Sequence, residues 1–183
     1  MRPSEDILAA ARDRLAAGNH IEAIEACFDE LVAEPTDIPL LAMLTAACES
    51  AGEVQRARQA AARWVEISPR DPYAHYKLAM IDQRLQNYQA AVARLKVAVG
   101  VGDPDDDISL AAWEALRALD GLQTQQVIAL RDCDLCFRLK LRVDPDAALQ
   151  ERGFSLSPAA VRRITAADDG VSSIRRGFPW RAC

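Results

Sequence analysis

The feature that most constrains this chain is a repeat of 34 residues. A shift of 34 positions places EPTD (34–37) on SPRD (68–71) and then on GDPD (102–105). Residues of like chemistry coincide at both shifts in three sets: Ala23, Ala57 and Ala91; Leu31, Val65 and Val99; Asp37, Asp71 and Asp105. A period of this length is typical of arrays in which each unit covers the apolar face of its neighbour.

Each 34-residue unit is predicted to be a pair of α-helices. Aromatic residues make up only 5% of the chain, and its many Ala, Leu, Arg, Glu and Gln residues favour helix. Asp71 before Pro72 is typical of an N-cap followed by proline at the first helical position. Ala57, early in the second helix of its pair, would let the first helix approach closely. The predicted helices of units two and three are Leu40–Ser50, Gln55–Ile67, Tyr73–Leu85 and Tyr88–Val99.

The period, the recurrent alanine and the proline near the end of each unit resemble the tetratricopeptide repeat (TPR) family, in units 4–37, 38–71 and 72–105. The resemblance implies an all-α superhelix in which helix A, the first helix of each repeat, lines a concave surface that binds peptides or partner proteins. The chain departs from the family at its early Trp, helix-A Gly and later Tyr positions. These hold Ile7, Leu41 and His75; Ala11, Thr45 and Ala79; and Arg14, Cys48 and Asp82.

The resemblance also implies which side chains would bind a partner protein. Aromatic and Arg residues are frequent anchors of interfaces. The alternative is that Tyr76 packs against the neighbouring repeat and that Arg84 is simply solvated. The Lys/Asn clamp of repeats that capture a C-terminal carboxylate is missing, so a chaperone-tail receptor of that kind is not expected. The candidate partner-binding residues are Arg12, Glu49, Tyr73, Tyr76, Lys77, Met80 and Arg84.

A capping helix is predicted after the repeats, in DDISLAAWEALRALDG (106–121). Solenoids need an atypical end unit to cover the last apolar face. Trp113 would pack within this cap or contact a ligand. The predicted apolar stripe consists of Ile108, Ala112, Leu116 and Leu119.

Residues 122–166 are predicted to form a small helical module. QTQQVIALRDCDLCFRLKLRV (123–143) is predicted to be one helix, although FRLKLRV alternates apolar and basic residues and would also fit an extended segment. Two shorter helices then follow N-caps at Asp144 and Ser157, each with proline at its first position, and Gly153 ends the first of them.

The string DPDAALQERGFSLSPAAVRRITAADDG (144–170) resembles leader regions of ribosomally synthesised, post-translationally modified peptide precursors of the nitrile-hydratase-like type. The small subunit of a ring-opening extradiol dioxygenase has a comparable run. The precursor resemblance implies that a peptide-modifying enzyme acts on the segment that follows. Here that segment is the last 13 residues, 171–183, within a tail (167–183) that is predicted to be flexible, basic and aromatic. Its candidate residues for docking or modification are Arg175, Arg176, Phe178, Trp180 and Cys183.

Enzymatic and metal chemistry finds little support in the sequence. Cys133 and Cys136 have C-x-x-C spacing, but no second pair completes a zinc site, and we expect both cysteines in a helical core. No glycine-rich nucleotide loop, H-E-x-x-H or G-x-S-x-G occurs. We therefore predict no catalytic site, no cofactor and no bound metal.

The charge and the cysteine count bear on partners and location. The formal net charge is −5, and residues 1–120 carry 20 acidic against 12 basic residues, which disfavours general nucleic-acid binding. No apolar run reaches the length of a membrane span, and MRPSEDILAAARDRLAAG (1–18) does not read as a secretory signal. Five irregularly spaced cysteines suggest reduced thiols and a cytoplasmic protein.

Three functions remain open from the sequence. The first is a non-catalytic scaffold or adaptor that binds a partner protein through its repeats. The second is a precursor or carrier whose tail, around Cys183, is modified by a recruited enzyme. The third is a small subunit of a larger enzyme. The domain prediction is a TPR solenoid with its capping helix (1–121), a helical module (122–166) and a tail (167–183).

Overall fold

A computed structural model describes residues 3–174, and the side chains of residues 5–166. Ten helices and no strand are found in this part of the chain. They are α1 Pro3–Ala16, α2 His20–Ala33, α3 Ile38–Ser50, α4 Val54–Ile67, α5 Pro72–Arg84, α6 Tyr88–Val101, α7 Asp107–Cys133, α8 Leu135–Val143, α9 Pro145–Glu151 and α10 Pro158–Ile174. The all-α fold and the four predicted repeat helices are confirmed, with helix ends within two residues of those predicted.

The chain divides into two compact units, Met1–Ala115 and Leu116–Cys183. The division falls inside α7, a continuous helix of 27 residues. No helix among residues 3–174 is long and apolar enough to cross a membrane.

The first unit contains three helix pairs, and the turn inside each pair has the same backbone. Gly18 and Gly52 have φ of 82° and 77°, and Gln86, the equivalent residue of the third pair, has φ of 60°. In each turn the amide of the next residue donates a hydrogen bond to the end of the preceding helix. The donors are the amides of Asn19, Glu53 and Asn87, and the acceptors are the carbonyls of Arg14, Cys48 and Asp82, at 2.8–2.9 Å. This is the hydrogen bond of a Schellman C-cap, and it recurs with the sequence period. The third pair keeps the turn without glycine.

Aspartates begin the helices that open pairs two and three. The Asp37 carboxylate accepts a hydrogen bond from the Leu40 amide at 2.9 Å. Asp71 Oδ1 accepts from the amides of Tyr73 and Ala74 at 2.9 and 3.3 Å. The predicted N-cap at Asp71, with Pro72 at the first helical position, is confirmed.

Small residues bring the paired helices together in the first unit. Ala23, Ala57 and Ala91 all have no exposed surface. The core also buries Leu40, Leu78 and other apolar side chains of the six repeat helices. In the cap, Ala112 is buried and Ile108 is half-buried on the predicted stripe, whereas Trp113 is 50% exposed.

The second unit has its own core around Phe137, which is 1% exposed. Leu141, Leu149 and Ile164 are buried in the same cluster. Asp120 and Gln123 of α7 fasten the segment before α10: their side-chain oxygens accept hydrogen bonds from the Ser157 and Ser155 amides, both at 2.7 Å. The predicted starts of α9 and α10 are confirmed, because Asp144 Oδ1 accepts from the Ala147 amide and Ser157 Oγ from the Ala160 amide.

The prediction of one helix through residues 123–143 is wrong. The chain leaves α7 at Asp134, whose backbone is extended (φ −111°, ψ 105°), and begins α8 at Leu135. The Asp134 carboxylate causes this restart, since it accepts a hydrogen bond from the Phe137 amide at 2.9 Å. The same bond, assisted by the charge of Arg152, lowers the pKa of Asp134.

The expectation that Cys133 and Cys136 are core residues is also wrong. Both are exposed, one at the end of α7 and the other in the first turn of α8. The helix break at Asp134 turns this short segment outward, whereas Phe137 and Leu141 supply the buried face of α8. Among the described residues, no group of three or more His, Cys, Asp or Glu is arranged to hold a metal ion.

The four described cysteines are expected to differ strongly in reactivity. Burial, followed by the nearby Cys48, raises the pKa of Cys27 to about 11. Burial also raises the pKa of Cys48. The raised pKa of Cys27 lowers its thiolate fraction, and its burial also keeps reagents away from the sulfur. Iodoacetamide should therefore label the exposed Cys133 and Cys136 faster than Cys27 near pH 8, by roughly a hundredfold.

Peptide mass spectrometry after timed alkylation measures these rates residue by residue. Labelling in denaturant is the control, and there the described cysteines should react alike. Equal rates for Cys27 and Cys133 in the folded protein would contradict the burial of Cys27.

Candidate protein-interaction face

The candidate residues lie on α1, α3 and α5, the first helices of the repeat pairs. The surface that they form is called the helix-A face, and it consists of Arg12, Glu49, Tyr73, Tyr76, Lys77, Met80 and Arg84. Glu49 lies at the end of α3, and Lys77 and Arg84 lie on α5. Residues three or four positions apart share one side of a helix, so Lys77, Met80 and Arg84 form a single stripe on α5. The repeat therefore places successive helix-A side chains where they can meet.

Glu49 joins two of the predicted residues across the repeat boundary. Its Oε2 accepts a hydrogen bond from Lys77 Nζ at 2.6 Å, and its Oε1 lies 3.9 Å from Arg84 Nη1. The Glu49 side chain is 17% exposed, whereas that of Arg84 is 49% exposed. The arrangement keeps the carboxylate paired and leaves the guanidinium donors of Arg84 accessible for another acceptor.

Apolar surface accompanies this charge cluster. Tyr76 and Met80 are both half-buried, so each contributes to packing and still presents part of its side chain. Arg12 is exposed on α1. Such mixed surfaces, with a few aromatic, Met and Arg side chains, are common in protein interfaces.

Tyr73 belongs to a different contact. Its ring packs edge-to-face on Trp64 of α4, with 5.5 Å between the ring centroids and 75° between the planes. Trp64 in turn donates from Nε1 to Asp71 Oδ2 at 3.0 Å. Tyr73 is thus engaged with the second helix of the preceding repeat, although 40% of it is exposed.

Sequence reasoning missed a buried ion pair between α4 and α5. Asp82 is 1% exposed, and its Oδ1 accepts a hydrogen bond from Arg58 Nε at 2.6 Å. The only sequence signal was that Asp82 occupies a position where the TPR pattern has Tyr. The sequence does not show its pairing with Arg58, which lies 24 residues away.

Sequence reasoning also missed an apolar cavity of about 720 Å³ between α2 and α4. Its walls include Ile24, Phe28 and Val32 of α2 and Ala60 of α4. The sequence carried a signal in α2, where Ile21, Phe28 and Val32 recur at helical spacing. The predicted tail residues Arg175, Arg176, Phe178, Trp180 and Cys183 lie outside the described residues.

Several solved structures have this fold. PcrH in complex with the chaperone binding region of PopD matches with a TM-score of 0.60 and 16% identity, covering 65% of this chain and 92% of that chain. The Sgt2 TPR domain from Aspergillus fumigatus matches with a TM-score of 0.58 and 17% identity, covering 64% and 79%. MamA matches with a TM-score of 0.58 and 16% identity, covering 97% of both chains.

At these identities the likeness shows the fold, which is that of TPR-type helical repeat proteins. The predicted TPR architecture is therefore confirmed. No protein-family model matches the chain, and no curated protein is similar to it in sequence. The resemblance of 144–170 to precursor leaders stays a prediction.

Proposed function

We propose that this TPR-type chain is a non-catalytic interaction module that binds a partner protein on its helix-A face. The observation that carries the proposal is the cluster in which Glu49 of α3 contacts Lys77 and Arg84 of α5. It joins successive repeats at the positions where the family resemblance implies partner contacts. PcrH, which has a similar fold, is bound to a segment of another protein in its solved structure.

The chemistry of the face indicates what the partner presents. Arg84 is half exposed, and its distance of 3.9 Å from Glu49 is too long for a direct hydrogen bond, so its guanidinium can donate to a second carboxylate. Met80 and Tyr76 offer partly exposed apolar surface. We therefore propose a partner segment that carries an acidic residue beside an apolar one, held by Arg84 and Met80.

Location and chemistry complete the proposal. We also propose a reducing, cytoplasmic setting, in which Cys27, Cys48, Cys133 and Cys136 would stay as thiols. The proposal needs neither a cofactor nor a reaction step by this chain.

Site-specific photocrosslinking tests the proposal. A photoreactive amino acid at Met80, introduced into the chain in its native cells, should give one discrete adduct with a partner protein. The matched control is the same amino acid at Val97, an exposed residue on α6, the second helix of the same repeat. The adduct should be absent from position 97 and should be lost when Arg84→Glu is added.

The opposite pattern would contradict the proposal. Adducts of equal yield from positions 80 and 97 would indicate non-specific contact. An adduct from position 80 that survives Arg84→Glu would show that the charge cluster does not hold the partner.

A further inference from the structure

The exposed face of α2 is unusually apolar. Ile21, Phe28 and Val32 are 70%, 61% and 73% exposed, respectively. Their spacing of seven and four residues places them along one line of the helix. Single exposed apolar residues are ordinary, but an aligned set of large ones marks an interaction surface.

The cavity described above lies directly beside this line. Ile24 and Phe28 form part of its wall, Leu41 and Leu44 of α3 lie at its base, and Ala60 contributes from α4. Its volume of about 720 Å³ is enough to receive large side chains. The exposed rim of this cavity is made mainly by α2 and α4, the second helices of repeats one and two, and α3 contributes only buried residues. None of the candidate residues of the helix-A face lines it.

The two lips of the cavity carry opposite charge. Glu25 and Asp29 of α2 line one side, and Arg56 and Arg63 of α4 line the other. All four residues are exposed. An occupant that brings apolar side chains for the cavity and carboxylates for the arginine lip would therefore complement this surface.

Helix α2 has both of these properties. Successive residues of a helix turn by about 100°, so Glu25 and Asp29 flank the apolar line on one side. An α2 helix laid over the cavity would insert Phe28 and Val32 while its acidic edge faces Arg56 and Arg63. A two-fold arrangement makes this contact twice, because the surface is then complementary to itself.

We propose that a second copy of this chain occupies the cavity, with α2 of each copy laid over the α2–α4 groove of the other. The acidic edge of one copy then pairs with the arginine lip of its partner at both ends of the interface. The helix-A face remains available, so a homodimer would present two partner-binding faces.

A charge exchange tests this arrangement. The variants are named for the residues that are replaced. In the acid variant Glu25 and Asp29 become arginine (Glu25→Arg and Asp29→Arg), and in the base variant Arg56 and Arg63 become glutamate (Arg56→Glu and Arg63→Glu). Light scattering should give twice 20.0 kDa for the unaltered chain at micromolar concentration and 20.0 kDa for each variant alone. In a homodimer of either variant, like charges would face each other at both ends of the interface, which should raise the dissociation constant of the dimer roughly a hundredfold or more.

The same substitutions supply their own controls. An equimolar mixture of the acid and base variants should form a heterodimer, since opposite charges face each other again at both ends. A chain with all four substitutions should form a homodimer, which would show that none of them prevents folding.

A second variant tests the apolar contact. Phe28→Glu should give a monomer, and Leu110→Glu, a change at a residue of similar exposure outside the groove, should leave the dimer intact. The proposal is overturned if the unaltered chain is a monomer, if the acid and base variants remain dimers, or if their mixture stays monomeric. A dimer that survives Phe28→Glu would overturn it as well.

Discussion

Trp64→Ala is expected to lower the free energy of unfolding by about 3–5 kcal/mol, as removal of a large aromatic side chain from a core usually does. Trp64 is 3% exposed within the core of the repeats. The variant would lose the edge-to-face contact with Tyr73 and the hydrogen bond to Asp71 together with the buried ring. Urea unfolding followed by circular dichroism measures the loss.

Trp64→Phe is the matched control. It keeps an aromatic ring in the core but removes the Nε1–H donor, and Asp71 retains its bonds from the Tyr73 and Ala74 amides. The expected cost is therefore smaller, about 1–2 kcal/mol. Equal costs for the two variants, or a cost below about 1 kcal/mol for Trp64→Ala, would contradict the packing described at this boundary.

Arg58→Ala is expected to destabilise the fold by about 2–3 kcal/mol. Removing one partner of a buried ion pair costs about 3–5 kcal/mol because an uncompensated charge remains. Since Arg58 is itself partly exposed, we expect the cost of Arg58→Ala to lie at or below the low end of this range. Asp82 would be left 1% exposed without the guanidinium that now lies 2.6 Å away.

A double-mutant cycle isolates this effect. In an Asp82→Ala background no buried carboxylate remains, so adding Arg58→Ala should cost about 1 kcal/mol or less. An Arg58→Ala cost that is the same in both backgrounds would show that the pair does not account for the destabilisation.

The repeat region was readable from sequence because its signals are local and recur. The Asp71–Pro72 cap and the recurrent alanines each have a physical reason that operates within a few residues. The register followed because the alanine and the aspartate each occur three times at the same spacing. The structure shows that even Gln86, which lacks the freedom of glycine, keeps the left-handed turn of Gly18 and Gly52.

The region after the repeats was harder because it has no internal copies. The residues of α7 and α8 have continuous helical propensity, and a single aspartate decides where the break falls. Asp134 prefers to accept from the Phe137 amide, and its pairing with Arg152 at 2.7 Å depends on a residue 18 positions later. Because the sequence pattern does not show the break, it does not indicate that Cys133 and Cys136 lie at the surface.

The candidate face was only partly predictable. The resemblance to the TPR family selected Lys77, Met80 and Arg84 as candidates, but the pairing of Lys77 with Glu49 joins residues 28 positions apart. Tyr73 was selected in the same way and yet packs on Trp64, because its position at the start of α5 brings it beside α4. Periodicity identifies the side of a helix, whereas the neighbour on that side depends on the packing of the repeats.

The most direct measurement of partner binding is calorimetric titration of the cross-linked partner, once identified, into the unaltered chain, Arg84→Glu and Arg70→Glu. Arg70 is an exposed arginine in the loop before α5 and makes the charge change equal in the two variants. We predict that Arg84→Glu raises the dissociation constant roughly tenfold to a hundredfold, whereas Arg70→Glu changes it less than about threefold. Equal affinities for Arg84→Glu and the unaltered chain, or equal losses in both variants, would contradict partner binding on the helix-A face.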